Sequence, residues 1–278
     1  MSPDPHLLSQ LVAEGLIPPD ADWAPMQGGQ TNRLWRVRDV VVKRFAPQDD
    51  NPRFPNDPRI EALTLQHLES TEIAPKLLDQ RQVNGSHYLL YQHLNGIPWN
   101  ADAATVGALL RRLHAMPAPQ GTRQLPGGSG AVERMVDSFL PDLPGPIAQR
   151  LTACRPSGHV ARSTAQALLH GDVVPGNIVV TLDGPRLIDW QCPAMGDPVE
   201  DLAVFLSPAM QLIYRGQPLD PSEQHAFLSA YKDPQITVRV QQMQPWHHWA
   251  MAAYCAWKSA RGAHPYARAM ELELAALE

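Results

Sequence analysis

Leu168-Leu169-His170-Gly171-Asp172-Val173-Val174-Pro175-Gly176-Asn177-Ile178-Val179-Val180, closed a few residues later by Leu187-Ile188-Asp189-Trp190, is the stretch that decides how this chain folds. Three polar side chains, Asp172, Asn177 and Asp189, stand among apolar runs. Asp-x-x-x-x-Asn followed by a strand-borne Asp is the arrangement that phosphoryl transfer from a nucleoside triphosphate needs. One carboxylate takes up the proton of an acceptor hydroxyl, while an amide and a second carboxylate hold Mg2+ against the phosphates. Residues 178–182 and 186–188 read as two short strands joined by a turn at Asp183-Gly184, so Asn177 and Asp189 sit at strand ends of one hairpin. Taken singly, each of the three suits an ordinary turn or loop. The joint pattern does not, because a chance loop has no reason to set an Asp after His-Gly and an Asn after Pro-Gly.

At these residues the sequence resembles the aminoglycoside phosphotransferase and choline kinase superfamily, the small-molecule relatives of protein kinases. His170-Gly171-Asp172 to Asn177 is similar to the family's catalytic loop, Ile188-Asp189-Trp190 to its metal-binding Asp motif, and Gly196-Asp197-Pro198-Val199-Glu200-Asp201-Leu202-Ala203 to the segment after it. The resemblance implies an α+β, bilobal kinase-like fold: a small antiparallel-sheet nucleotide-binding lobe over residues 1–93 and a mainly helical catalytic and substrate lobe over 94–278. It implies ATP and Mg2+ as cofactors, with Asp172 as the catalytic base and Asn177 and Asp189 as metal ligands. It also suggests that Asp201, otherwise a first-turn carboxylate serving a helix dipole, hydrogen-bonds the catalytic loop.

Composition narrows the alternatives. The chain has 278 residues, enough to bury a core, with 44% hydrophobic and 18% charged residues. A formal charge of −5 and the lack of any Lys/Arg block argue against a nucleic-acid partner. Cys154, Cys192 and Cys255 lie far apart without metal-ligand spacing and read as reduced thiols. No apolar run reaches the roughly 20 residues that cross a bilayer, and the first 15 residues lack a basic start. A cytoplasmic enzyme without membrane partners is the expectation. Oligomeric state is not legible, since any apolar helix face can be core or interface.

Read in order, residues 6–15 predict a short helix. Gly28-Gly29-Gln30-Thr31-Asn32 precedes two β-like runs, 34–37 and 40–45. Gly-Gly alone is an ordinary turn signal; ahead of a strand carrying Lys43 it suggests a loop over phosphates. Gly28, Gly29, Thr31 and Asn32 match the family's Gly-Gly-x-Thr-Asn loop, most like that of choline and ethanolamine kinases. Lys43 ends a Val-Val-Val run, where a lysine is costly unless paired; it is either a snorkelling edge residue or a ligand of the triphosphate. Asp57-Pro58 caps a helix whose first turn holds Glu61, favoured there by the helix dipole alone. The resemblance assigns Glu61 to an ion pair with Lys43. Asn84-Gly85 predicts a type I′ hairpin. Residues 93–96 then form the hinge, where the resemblance assigns adenine to main-chain groups of Gln92 and Leu94.

The remainder reads as helical: 104–114 with His114 as a C-terminal cap, then 131–140, 146–154, 160–169, 199–205 continuing over 202–214, 221–231 and 239–261. A loop is expected over 192–198. Trp246, Trp249 and Trp257 share one broad face of the last helix, with Tyr254 at its edge. They are either core packing or an aromatic wall for a cationic substrate. The expected acceptor is a small molecule with a hydroxyl, foremost choline, ethanolamine or a related amino alcohol. An aminoglycoside, thiamine or a sugar or amino sugar is the alternative. A polycationic acceptor would want several carboxylates, for which Glu133, Asp137, Glu200, Glu271 and Glu273 are the available residues. A non-catalytic nucleotide-binding module is the reading from another class, and the presence of Lys43, Glu61, Asp172, Asn177 and Asp189 argues against it.

Overall fold

The computed structural model describes residues 4–26, 32–46, 51 and 53–278. Helix α1 (Pro5–Ala13) opens on Asp4, whose side chain accepts from the His6 amide at 2.9 Å. It buries Leu7 and Leu11, one turn apart, against an antiparallel sheet. The sheet contains β1 (Ala24–Pro25), β2 (Arg33–Val37) and β3 (Val40–Arg44), then, beyond α2 (Pro58–His67), β4 (Leu77–Val83) and β5 (Ser86–Gln92). Its strand order is β1-β2-β3-β5-β4.

Both faces of β3 are covered, which explains its unbroken valine run. Val42 meets Leu7, Leu11 and Leu90 on one side; Val41 belongs to the main core on the other. Since alternate residues share a face, Lys43 points the same way as Val41, towards the interior. Asn84 and Gly85 both adopt positive φ, +50° and +75°, as the type I′ turn between β4 and β5 requires.

Strand β6 (Ile97–Pro98) leads into α3 (Ala103–His114), α4 (Ser129–Phe139) and α5 (Gly145–Ala153). The predicted helix over 160–169 is absent. Residues 154–166 are irregular, and Ala167–Leu169 form β7, antiparallel to β10 (Ala194–Gly196). The apolar trio Ala-Leu-Leu is fully buried, and only that distant partner makes it a strand. The same pairing puts a short strand inside the loop expected over 192–198.

Between them, β8 (Ile178–Thr181) and β9 (Gly184–Leu187) form the expected hairpin, with β6 on its outer edge. Helices α6 (Val199–Leu206) and α7 (Pro208–Arg215) replace the single helix expected over 202–214. Pro208 cannot continue α6, and Ser207 caps the new helix through the Met210 amide. Helix α8 (Pro221–Tyr231) starts from an Asp220/Glu223 capping box. Helix α9 (Pro234–Ala260) is the long one, starting five residues before the expected position because Asp233 caps it. Helix α10 (Pro265–Ala275) packs on α9 and α7. No helix among the described residues is long and apolar enough to cross a membrane.

Candidate active site

Two chain segments meet where the sheet faces the helices. From the sheet comes Lys43, 1% exposed, whose Nζ donates to Glu61 Oε2 at 2.7 Å and to Asp189 Oδ1 at 2.5 Å. Burial alone would pull the lysine down, but the carboxylates of Asp189 and Glu61 together hold it above the ordinary lysine range. Lys43 is therefore a fixed cation, not a snorkelling edge residue. Asp189 has φ +64°, a left-handed conformation that aspartate tolerates better than most residues. This turn ends β9 sharply and aims the carboxylate back at the sheet.

From the hairpin side comes the loop between β7 and β8. Asn177 Nδ2 donates to the Asp172 carbonyl at 2.9 Å and to Asp172 Oδ2 at 3.0 Å, locking the two side chains together. The Ile188 amide donates to the Asn177 carbonyl at 2.9 Å, bringing the approach to Asp189 alongside Asn177. Burial, reinforced by Asp189, pushes Asp172 up to about 7, within the range of a base that works near neutral pH.

The loop is held from behind. Asp201, fully buried in the first turn of α6, accepts from the amides of His170 and Gly171, both at 2.8 Å. His170 Nδ1 accepts from the Asp172 amide at 3.2 Å, so the ring proton is on Nε2, which donates to the Ile188 carbonyl at 3.0 Å. This neutral histidine, lowered by burial, ties the loop carrying Asp172 to the strand end carrying Asp189. Gly171 has φ +84°, and a Cβ there would lie 2.3 Å from the Cys192 carbonyl oxygen, so only glycine fits.

His114 is not the helix cap the sequence suggests. It is buried and joins Asp201 Oδ2 at 3.2 Å to the Tyr231 hydroxyl at 2.9 Å. Its position four residues after Leu110 puts it on the inward face of α3, a spacing that could have revealed it. Replacing Asp201 with Ala should therefore orphan two loop amides and the histidine. We expect about 2–4 kcal/mol lower stability in denaturant unfolding, with a lower kcat at saturating nucleotide.

The expected metal ligands offer suitable chemistry. With its amide nitrogen spent on Asp172, Asn177 has its carbonyl oxygen left over, and Asp189 has Oδ2 left after Lys43 takes Oδ1. Hard oxygens of this kind suit Mg2+, which commonly takes one or two protein ligands and completes its shell with phosphates and water. Asn32 is buried and exchanges hydrogen bonds with Asn56 at 2.9 Å, besides donating to Gln191 Oε1 at 3.1 Å, two residues past Asp189. Gly28, Gly29 and Thr31, expected over the phosphates, lie outside the described residues. At the hinge, Gln92 spends its N–H on the Lys76 carbonyl at 2.9 Å, leaving its carbonyl for a ligand.

A cleft of about 220 Å3 opens beside Gly171, walled by Arg53, Arg123 and Glu200 with Val132 and Met135. Glu200 is pushed up to about 7 by burial, a rise that Arg53 partly offsets. A larger cavity, about 880 Å3, lies on the sheet side between Arg44, Asn56 and His87, and none of the expected catalytic or metal residues lines it.

The aromatic wall does not form. Trp246, Trp249, Tyr254 and Trp257 are buried in the main core. Trp249 Nε1 donates to the Leu151 carbonyl at 2.7 Å, and the Arg261 guanidinium sits 4.0 Å from the Trp257 ring centroid. Tyr254 packs edge-on against Phe54 at 5.0 Å. Their faces are taken by the chain's own groups, so core packing wins.

Of the carboxylates available to a polycationic acceptor, Glu133 pairs with Arg155, and Glu271 pairs with Arg150 at 2.6 Å. Glu273 is buried between Ser207, the Ala209 amide and His248. Glu200 alone of the five lines the cleft beside the catalytic loop.

Comparison with known proteins agrees with this geometry. Residues 22–242 match the profile of the phosphotransferase enzyme family. A protein of Thermus thermophilus named "probable ketoamine kinase" is 32% identical over 183 residues, covering 59% of this chain and 65% of that relative. The chain thus spans just under two thirds of this relative's length. Among solved structures, a choline kinase from Cryptosporidium parvum superposes with a TM-score of 0.67 at 11% identity, covering 99% of this chain and 94% of its own. The GDP complex of aminoglycoside 2′-phosphotransferase-IIIa gives 0.64 at 14% identity, covering 96% and 96%. At such identities the likeness establishes the kinase-like α+β fold and nothing finer.

Proposed function

The chain belongs to the phosphotransferase enzyme family, and from that premise we propose that it transfers the γ-phosphoryl group of ATP, with Mg2+, to a hydroxyl of a small amine-bearing molecule. The observation that carries this reading is the convergence of Lys43 on both Glu61 and Asp189, with Asp172 locked to Asn177 alongside. Lys43 neutralises phosphate charge and Glu61 fixes its position. Asn177 and Asp189 would hold the Mg2+, which would offset the charge of the phosphates. Asp172 accepts the hydroxyl proton. Adenine sits against the hinge, with the Gln92 carbonyl and the Leu94 amide as its partners, and the chain divides near residue 93 into a nucleotide-binding part and a catalytic part.

Amine recognition falls to Glu200 rather than to aromatic rings. Burial holds the neighbouring His247 down at about 3, so the imidazole 3.9 Å from Glu200 is neutral and supplies no cation. The other charged groups facing Glu200 are Arg53, Asp197, Asp201 and Arg239. A carboxyl raised to about 7 is neutral below that pH and charged above it. The KM for a cationic acceptor should accordingly fall as pH rises through about 7, while the KM for a neutral polyol stays flat; initial-rate pH profiles for such a pair check this.

The acceptor class spans choline, ethanolamine and similar amino alcohols, amino sugars and aminoglycosides, thiamine, and the ketoamines named for the Thermus relative. ATP consumption by the purified protein with Mg2+, measured against one member of each group, tests the proposal. Acceptor-dependent consumption on any member supports it. Tight Mg-ATP binding with no acceptor-dependent turnover would favour a nucleotide-binding module instead.

A further inference from the structure

The cleft beside Gly171 holds two guanidiniums, Arg53 and Arg123, that form no ion pair with a carboxylate among the described residues. Among the described residues Arg53 Nε is buried without a hydrogen-bond partner, and its Nη1 donates to the Met135 sulfur at 3.6 Å. Arg123 donates to the carbonyl oxygens of Cys192 at 3.0 Å and Pro193 at 3.3 Å, which are dipoles and not counter-charges. Neither arginine has a carboxylate within 4.0 Å among the described residues. Burying a cation without a counter-charge is costly, and burial does pull Arg123 down. Two such cations in one cleft with one partly buried carboxylate among its lining residues, Glu200, form a set complementary to a molecule bearing both charges.

We propose that this cleft is the acceptor site and that it selects a hydroxyl compound carrying a carboxylate as well as an amine, the carboxylate held by Arg53 and Arg123 and the amine facing Glu200. The inference rests on the kinase reading above and narrows its substrate class to zwitterions. Planar guanidiniums suit a carboxylate because they can offer paired N–H donors. Gly171, next to Asp172, lines the same cleft as the two arginines and Glu200, so an acceptor held there lies beside the base. In the transfer step the hydroxyl oxygen forms a bond to the γ-phosphorus as the bond from that phosphorus to the β,γ-bridging oxygen breaks. The hydroxyl proton passes to Asp172, and ADP leaves with the bond's electron pair.

Matched pairs that differ by the carboxylate test this: serine against ethanolamine, carnitine against β-methylcholine, and fructosylglycine against fructosylmethylamine. Binding of each is measured by calorimetry to the full chain saturated with Mg2+ and a non-hydrolysable ATP analogue, and turnover is measured with ATP. In at least one pair the carboxylated member should bind about 10- to 100-fold more tightly, and Arg53→Gln should remove most of that difference. Arg123→Lys, which keeps the charge but loses the fork, should remove part of it.

Equal affinity within every pair, or no binding by any carboxylated member, overturns the inference. So does an Arg53→Gln variant that lowers kcat equally for both members of a pair without changing their binding, because the arginine would then serve the phosphoryl group. Efficient turnover of the members lacking the carboxylate, and of those alone, sinks this inference and leaves the kinase reading standing. Failure of phosphoryl transfer to every acceptor, with zwitterion binding intact, sinks the kinase reading instead.

Discussion

Asp172→Asn should lower kcat by about a hundred- to ten-thousand-fold while Mg-ATP binds with nearly unchanged affinity. The substitution keeps the shape of the side chain and lets its remaining oxygen accept from Asn177 Nδ2, now 3.0 Å from Asp172 Oδ2. What it removes is the ability to accept a proton from the acceptor hydroxyl. Burial has already raised this carboxyl to about 7, so it gives up little driving force as a base near neutral pH. The Lys43–Glu61–Asp189 cluster is untouched by the change, which is why nucleotide affinity should survive. Rapid-quench rates and calorimetric titration with Mg-ATP separate the two effects. A variant retaining most of its activity would exclude Asp172 as the base.

Asp189→Ala should act on the other half of the site. It removes one of the two oxygens proposed to hold the metal and one of the two carboxylates on Lys43, so the affinity for Mg-nucleotide should fall about 10- to 100-fold. The nucleotide-free protein should also melt at a lower temperature, because a lysine only 1% exposed keeps Glu61 as its single direct counter-charge. Adding Mg2+ should stabilise the wild type against heat in the presence of ATP and the variant much less. Nucleotide affinity unchanged in Asp189→Ala would remove the aspartate from the metal site.

Why was so much of this site legible in the chain itself? Asp172, Asn177 and Asp189 fall within eighteen residues, and the Asp183-Gly184 turn between them states its own geometry. Lys43 after three valines, and Glu61 after the Asp57-Pro58 cap, are likewise signals set by a few neighbouring residues. Turn and cap chemistry is local, so a sequence can be read for it without knowing the fold.

What escaped reading depends on distant partners. Ala167–Leu169 is a strand only because Ala194–Gly196 lies beside it. Its flank of Arg162, Ser163 and Thr164 has helical spacing in the sequence, but Arg239, far along the chain, donates to the Ala161 carbonyl at 2.9 Å. His114 looks like a helix end until α6 and α8 bring up Asp201 and Tyr231. The tryptophans of α9 showed the right periodicity for a face, but periodicity cannot tell a face turned to substrate from one turned to core. Arg53 and Arg123 gave no signal at all, since nothing near either one in the chain marks it as a cleft residue.

The central claim is that the chain moves a phosphoryl group from ATP to a small hydroxyl acceptor. It is tested most directly by mass analysis of the products after incubation with ATP, Mg2+ and an acceptor mixture spanning amino alcohols, amino sugars and hydroxy amino acids. One acceptor gaining a single phosphoryl group, in step with ADP formed and only when Mg2+ is present, is the predicted result. ADP accumulating at the same rate with and without acceptors, and no phosphorylated product, would contradict it.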